Sequence, residues 1–102
     1  MKNLIQPNSG RQSNRRNAAL LHTASKDVYQ RTFPSGERAR VAVTADGAID
    51  LRIYDLEGRL VVSDTSLDHS PTCTWVPRST ESFTIQVRNC EPFTVAYEIE
   101  IN

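Results

Sequence analysis

From Asp27 to Ile101 the sequence alternates apolar and polar residues with a period of two, broken only by short clusters of Gly, Pro, Asp and Ser. A strand sends successive side chains to opposite faces, whereas a helix needs apolar residues three and four apart, so this period leaves room for little besides sheet. In "RARVAVTA" Ala39, Val41 and Val43 share a face. In "IDLRIYD" Ile49, Leu51 and Ile53 point one way and Asp50, Arg52 and Tyr54 the other. "TCTWV" puts Cys73 with Trp75, which reads as a buried core anchor, and "SFTIQVRN" groups Phe83, Ile85 and Val87. "TVAYEIEI" turns Val95, Tyr97, Ile99 and Ile101 inward and leaves Glu98 and Glu100 outward. The interruptions "PSGE", "ADGA" and "DLEG" are turn chemistry, with Gly58 suited to a left-handed bulge position. The pattern predicts an all-β fold, an antiparallel, jelly-roll-like β-sandwich of seven to eight strands.

The chain has 102 residues, enough for one such domain, which we place at residues 18–102. Residues 1–17 are rich in Asn, Ser, Gln, Arg and Gly and cannot bury enough surface to offset ordering, so they read as a basic flexible arm. "NAALLHTA" suits a short helical turn or an edge strand. The zero net charge hides an asymmetry. Residues 1–26 carry Lys2, Arg11, Arg15, Arg16 and Lys26 and no acid, +5; the rest carries 7 Arg and 12 acids, −5. Arg11, Arg15 and Arg16 are therefore candidate assembly residues, with Glu98 and Glu100 of another copy as the acidic surface. No apolar run approaches the roughly 20 residues of a membrane span, and the start lacks the apolar core of a signal peptide.

Four acids surround the "AIDLRIYDLEGRLVVSD" hairpin. Calcium needs six to eight converging oxygens, and Asp50 lies about 16 Å from Asp55 and Glu57 along an extended strand. Asp46 and Asp50 are the only pair placed to start a calcium site, and they would need ligands from other loops. The expected reading is structural: Asp46 and Asp55 bond backbone within their turns, and Tyr54 falls opposite Arg59 across the hairpin. No cofactor is expected. "LDHSPTC" holds Asp68, His69, Ser70 and Cys73, but neighbours along a loop seldom converge as a triad, so no catalysis is expected. His22 reads as a surface residue. If strands around 73 and 86 form a simple hairpin, Cys73 lies near Gln86 and away from Cys90, which favours two free thiols.

Taken in order, "VYQRTF", "PSGERARVAV", "DGAIDLRIYDLEG", "TWVP", "SFTIQVRN" and "AYEIEI" resemble the bacterial pre-peptidase C-terminal domain, over about three quarters of the chain. The resemblance implies a jelly-roll sandwich, an extracellular or periplasmic setting, an accessory binding role and, in some relatives, calcium. It points to a non-catalytic binding module of a secreted or cell-surface system, with Arg52, Tyr54 and Arg59 facing a protein, matrix or saccharide ligand. The alternative is a structural subunit of a filament or virion surface, a homo-oligomer joined by the basic arm. Neither a nucleic-acid partner nor membrane insertion is expected.

Overall fold

The computed structural model describes residues 16–102. The alternation becomes eight strands: β1 Arg16–Leu21, β2 Lys26–Phe33, β3 Ala39–Ala45, β4 Ile49–Tyr54, β5 Leu60–Asp64, β6 Thr72–Trp75, β7 Glu81–Asn89 and β8 Val95–Ile101. They form two four-stranded antiparallel sheets, sheet A in the order β1-β8-β3-β6 and sheet B in the order β2-β7-β4-β5. This is a jelly roll. Of the seven connections only β4–β5 stays within a sheet; every other one carries the chain across the sandwich.

The ambiguous "NAALL" stretch is an edge strand. Ala and Leu favour helix when isolated, but β1 pairs residue for residue with β8, from Arg16 opposite Glu100 to Leu21 opposite Val95. Arg16 and Asn17, assigned above to the arm, are thus part of the sandwich. The arm's own Arg11 and Arg15 lie outside the described residues.

The inward faces meet as expected. Ile49, Leu51, Ile53, Ile85 and Ile99 are among the largest fully buried side chains, and Val41, Val43, Val87 and Val95 fill between them. Each such burial contributes roughly 1.5–3 kcal/mol. Trp75 closes one end of this core instead of sitting inside it. It is half-buried, with its ring edge-on to Phe33 at 5.0 Å and Phe83 at 5.4 Å, and its indole N–H has no hydrogen-bond partner.

Two polar ties cross the interior. The Tyr97 hydroxyl on sheet A donates to Asp27 Oδ2 on sheet B at 2.6 Å and is hydrogen-bonded to the Tyr29 hydroxyl. Burial foremost holds both phenols above their ordinary pKa, so they stay protonated. At the other tie, the buried Asn89 amide donates to the carbonyls of Leu21 (3.0 Å) and Phe93 (2.7 Å) and accepts from Glu91 N–H (2.7 Å). Gly47 packs beneath the same loop: a Cβ there would sit 2.7 Å from Val95 Cγ2 and 2.9 Å from Glu91 Cγ.

Asn89→Ala leaves two carbonyls and an N–H without partners and should cost about 2–4 kcal/mol, read from urea unfolding. Trp75→Ala should cost about 3 kcal/mol in the same measurement. Trp75→Phe should cost about 1 kcal/mol or less, because it keeps the aromatic packing and removes an unpaired donor; equal losses for the two Trp75 variants would show that the indole N–H is not a liability.

Candidate functional site

The outward half of β4 lies in the middle of sheet B, so strand pairing fixes its neighbours. Arg52 stands between Gln86 on β7 and Ser63 on β5, and Val28 on β2 completes the row beyond Gln86. In the next row Tyr54 stands between Thr84 and Leu60, with Gln30 beyond Thr84. The register shifts between Ile53 and Tyr54, which places Leu60, not Arg59, opposite Tyr54. Arg59 instead turns to the hairpin tip, with Nε 3.2 Å from Asp55 Oδ2 and Nη2 2.5 Å from Glu57 Oε1. The structure therefore brings Arg52 and Tyr54 onto one surface and leaves Arg59 at its rim.

Asp50 holds the start of this face. It was expected on the wet side of the strand and does point there, yet it is only 9% exposed. Its strand neighbour is Arg88, Arg52 Nη1 lies 3.6 Å from Oδ2, and Oδ1 has no hydrogen-bond partner. Arg52 thus pairs with a carboxylate that the sheet face largely covers. Around the rim Val28, Leu56, Leu60 and Val61 are exposed apolar residues. The outer face of sheet A is different. Its rows carry Ala18, Leu20, Ala42, Thr44, Ala96, Glu98 and Glu100, and a shallow trough of about 550 Å³ runs between Ala18, Leu20, Thr44, Asp46, Ala96 and Glu98. Glu100 meets Arg40 of its own chain at 3.8 Å.

The calcium pair does not converge. Asp46 Oδ1 accepts the backbone N–H of Ala96 in sheet A at 2.9 Å, a cross-strand bond in place of the expected local turn bond, while Asp50 lies on the outer face of sheet B. Among the described residues no group of three or more His, Cys, Asp or Glu is placed to hold a metal ion. Asp55 behaves as a turn residue, accepting Glu57 N–H and Arg59 N–H at 2.9 Å each, and these bonds hold its carboxyl below the usual range. Gly58 closes that turn at φ 82°. Asp64 ties β5 to β6: Oδ1 accepts Ser66 Oγ at 2.7 Å and Oδ2 accepts Thr72 N–H at 3.0 Å, which lowers its pKa as well.

The loop constellation is dispersed. Asp68 Oδ1 accepts the backbone N–H of His69, whose backbone carbonyl pairs with Ala45. Cys73 is buried opposite Val41 of sheet A, since β6 pairs with β3 and the imagined hairpin with β7 does not exist. Burial, with help from Asp64, pushes its thiol up to about 11, so it holds no nucleophilic thiolate at neutral pH. Cys90 is exposed, both cysteines are free, and burial with the Asp50 carboxylate beside it raises the Cys90 thiol. His22 lies at the surface, its Nδ1 3.5 Å from Thr94 Oγ1. One thiol should therefore react with a disulfide reagent in the native protein and two after denaturation; two fast native reactions would overturn the burial of Cys73.

The residues that flank Arg52 and Tyr54 were not legible from the sequence. Gln86, Thr84, Ser63 and Leu60 become neighbours only through strand register, which no local pattern encodes.

No protein-family model matches the sequence, and no curated protein sequence matches it. Solved structures do. The pre-peptidase C-terminal domain of a collagenase from Bacillus anthracis superposes with a TM-score of 0.74 at 11% identity, over 87% of this chain and 89% of that one. The Aeromonas hydrophila protein PliG, a periplasmic inhibitor of g-type lysozyme, superposes with a TM-score of 0.61 at 7% identity, over 92% and 91%. A de novo designed double-stranded β-helix gives 0.52 at 14% identity, over 86% and 99%. At these identities the likeness is one of fold, and the chain has the jelly-roll fold of a pre-peptidase C-terminal domain.

Proposed function

We propose that the protein is a non-catalytic binding module of a secreted or periplasmic system, and that it meets a protein partner with the outer face of sheet B. The observation that carries this reading is the character of that face. Arg52, Tyr54 and Gln86 stand side by side on the two central strands, anchored by Asp50 and rimmed by exposed Val28, Leu60 and Val61. Tyr and Arg supply most of the energy at protein interfaces, and they do so best when neighbouring apolar groups exclude water around them. A rigid central strand also presents them at little entropic cost. The comparisons support the class of role. One structural neighbour is a domain of a collagenase and another is an inhibitor of g-type lysozyme, so this fold serves proteins that act beside or upon enzymes. The assembly reading keeps one observation in its favour, the open edge of β1 taken up below.

The test is an NMR titration of the labelled protein with two probes, a g-type lysozyme and a collagen triple-helical peptide. Binding of either should shift the amides of β4 and β7 around Arg52, Tyr54 and Gln86. Arg52→Ala with Tyr54→Ala should weaken that binding at least about tenfold, the loss of one or more hot-spot contacts, with the melting temperature little changed. Shifts confined to the loops, or hydrolysis of a probe by the protein, would sink the reading.

A further inference from the structure

A jelly roll built from two open sheets has four edge strands, among the described residues β1, β2, β5 and β6. An edge strand exposes unpaired backbone N–H and C=O groups, and proteins that stay monomeric blunt such edges with inward-pointing charges, bulges, prolines or brevity. Three of the four carry such a device. On β2, Asp27 and Arg31 occupy the inward-facing positions shared with Tyr29 and Phe33. On β5 the register against β4 is broken by a shift between Ile53 and Tyr54, and Asp64 takes an inward position opposite Leu51. β6 has four residues, with Pro71 before it and Pro77 two residues after it.

β1 carries none. Its sequence RNAALL has no charge after Arg16 and no proline, and its register with β8 runs unbroken over all six pairs. Leu20, on its outward side, is 72% exposed, higher than any other large hydrophobic residue among those described, and it walls the trough with Ala18 and Ala96.

We propose that the β1 edge is a self-association site, at which a second copy of this chain pairs its own β1 antiparallel about a two-fold axis at Ala19. A two-fold axis normal to a sheet must place one residue opposite itself; Ala18 and Ala19 each pair five of the six strand residues, and Ala19 is the choice that sets Leu20 against the small Ala18 instead of against Arg16. Ala18 then faces Leu20 of the other copy, Asn17 faces Leu21, and Arg16 faces His22. The exposed Leu20 is covered by the small Ala18, and no like charges meet between residues 17 and 21. The two four-stranded sheets join into one of eight, and the two troughs become continuous across the axis. Charge favours the same arrangement. The register sets residue 16 of each copy opposite residue 22 of the other, at the end of the sandwich where Asp46, Asp50, Asp68 and Glu91 outnumber Lys26 and Arg88. The inference does not depend on the binding role proposed for sheet B.

Sedimentation equilibrium of the full chain tests it, at roughly 10–100 µM, the range where a modest interface of this kind is populated. The expected mass is twice the 11.5 kDa of the chain. Leu20→Lys and Ala18→Lys should each return it to the single-chain mass with an unchanged far-ultraviolet spectrum, whereas Thr72→Lys on the short edge β6 should leave the dimer intact. Amide exchange across Asn17–Leu21 should slow as concentration rises in the parent and not in Leu20→Lys. A single-chain mass throughout overturns the proposal, as does a dimer indifferent to both β1 substitutions. A parent that dimerises only after residues 1–15 are deleted also overturns it, and makes that segment the occupant of the edge.

Discussion

Six of the seven connections leave one sheet and enter the other, so at each crossing the backbone loses the ladder that satisfied it. The rest of the structure depends on how those groups are paired again. At the crowded end this falls to Asn89. Its backbone N–H donates to Ser25 of the β1–β2 turn, and its amide reaches the last carbonyl of β1 and both sides of the β7–β8 loop. Cys90 N–H pairs with Ala48, Ala48 N–H with the Glu91 carboxylate, and Thr23 Oγ with the Glu91 carbonyl. Three crossings are thereby locked to one another, two of them through the buried Asn89 side chain and the third through Cys90 and the Glu91 carboxylate. At the opposite end the ties are looser and run through solvent-exposed groups: Gly36 to Pro77, and Ser35 to Arg78 and Thr80.

This asymmetry bears on function. The locked end fixes where β7 and β4 lie relative to β8 and β1, and so fixes the central rows of both outer faces. The two faces then differ only in what the outward positions carry. Sheet B presents Arg52, Tyr54 and Gln86, groups suited to recognition, over a buried Asp50. Sheet A presents Ala18, Ala42, Thr44 and Ala96, groups small enough for another backbone to come near. One scaffold thus offers a side-chain surface on one sheet and a backbone-accessible surface and edge on the other.

Most of the fold was legible in the sequence because its main signal is local. The inward sets Val41/Val43, Ile49/Leu51/Ile53, Phe83/Ile85/Val87 and Val95/Tyr97/Ile99 follow from period two alone, and all are buried. What lay beyond reach was whatever depends on which strand lies beside which. Cys73 was set against Gln86 by assuming a hairpin, when β6 belongs to the other sheet. Tyr54 was set against Arg59, because a bulge changes register without leaving a mark in composition. "NAALL" left helical turn and edge strand both open, and pairing with β8, some eighty residues away, decides for the strand. Nothing in "VRNC" distinguishes a buried clamp at Asn89 from a solvated strand end. Of the candidate site, the residues along β4 were visible and their neighbours across the sheet were not.

The pairing of the first strand with the last has a topological consequence. Arg16 and Glu100 are register partners, so residue 16 and the C-terminal end of β8 leave the sandwich side by side. Residue 16 and the end of β8 are neighbours in space, and a short linker between them would close the backbone without disturbing any ladder. The fold is therefore indifferent to where the chain is opened, provided the opening falls in a loop outside the Asn89 clamp. The β4–β5 turn, which alone makes no crossing, is the natural place to cut. A circular permutant of residues 16–102 that begins at Gly58 and ends at Glu57 keeps all eight strands and moves both ends to the rim of the Arg52–Tyr54 face.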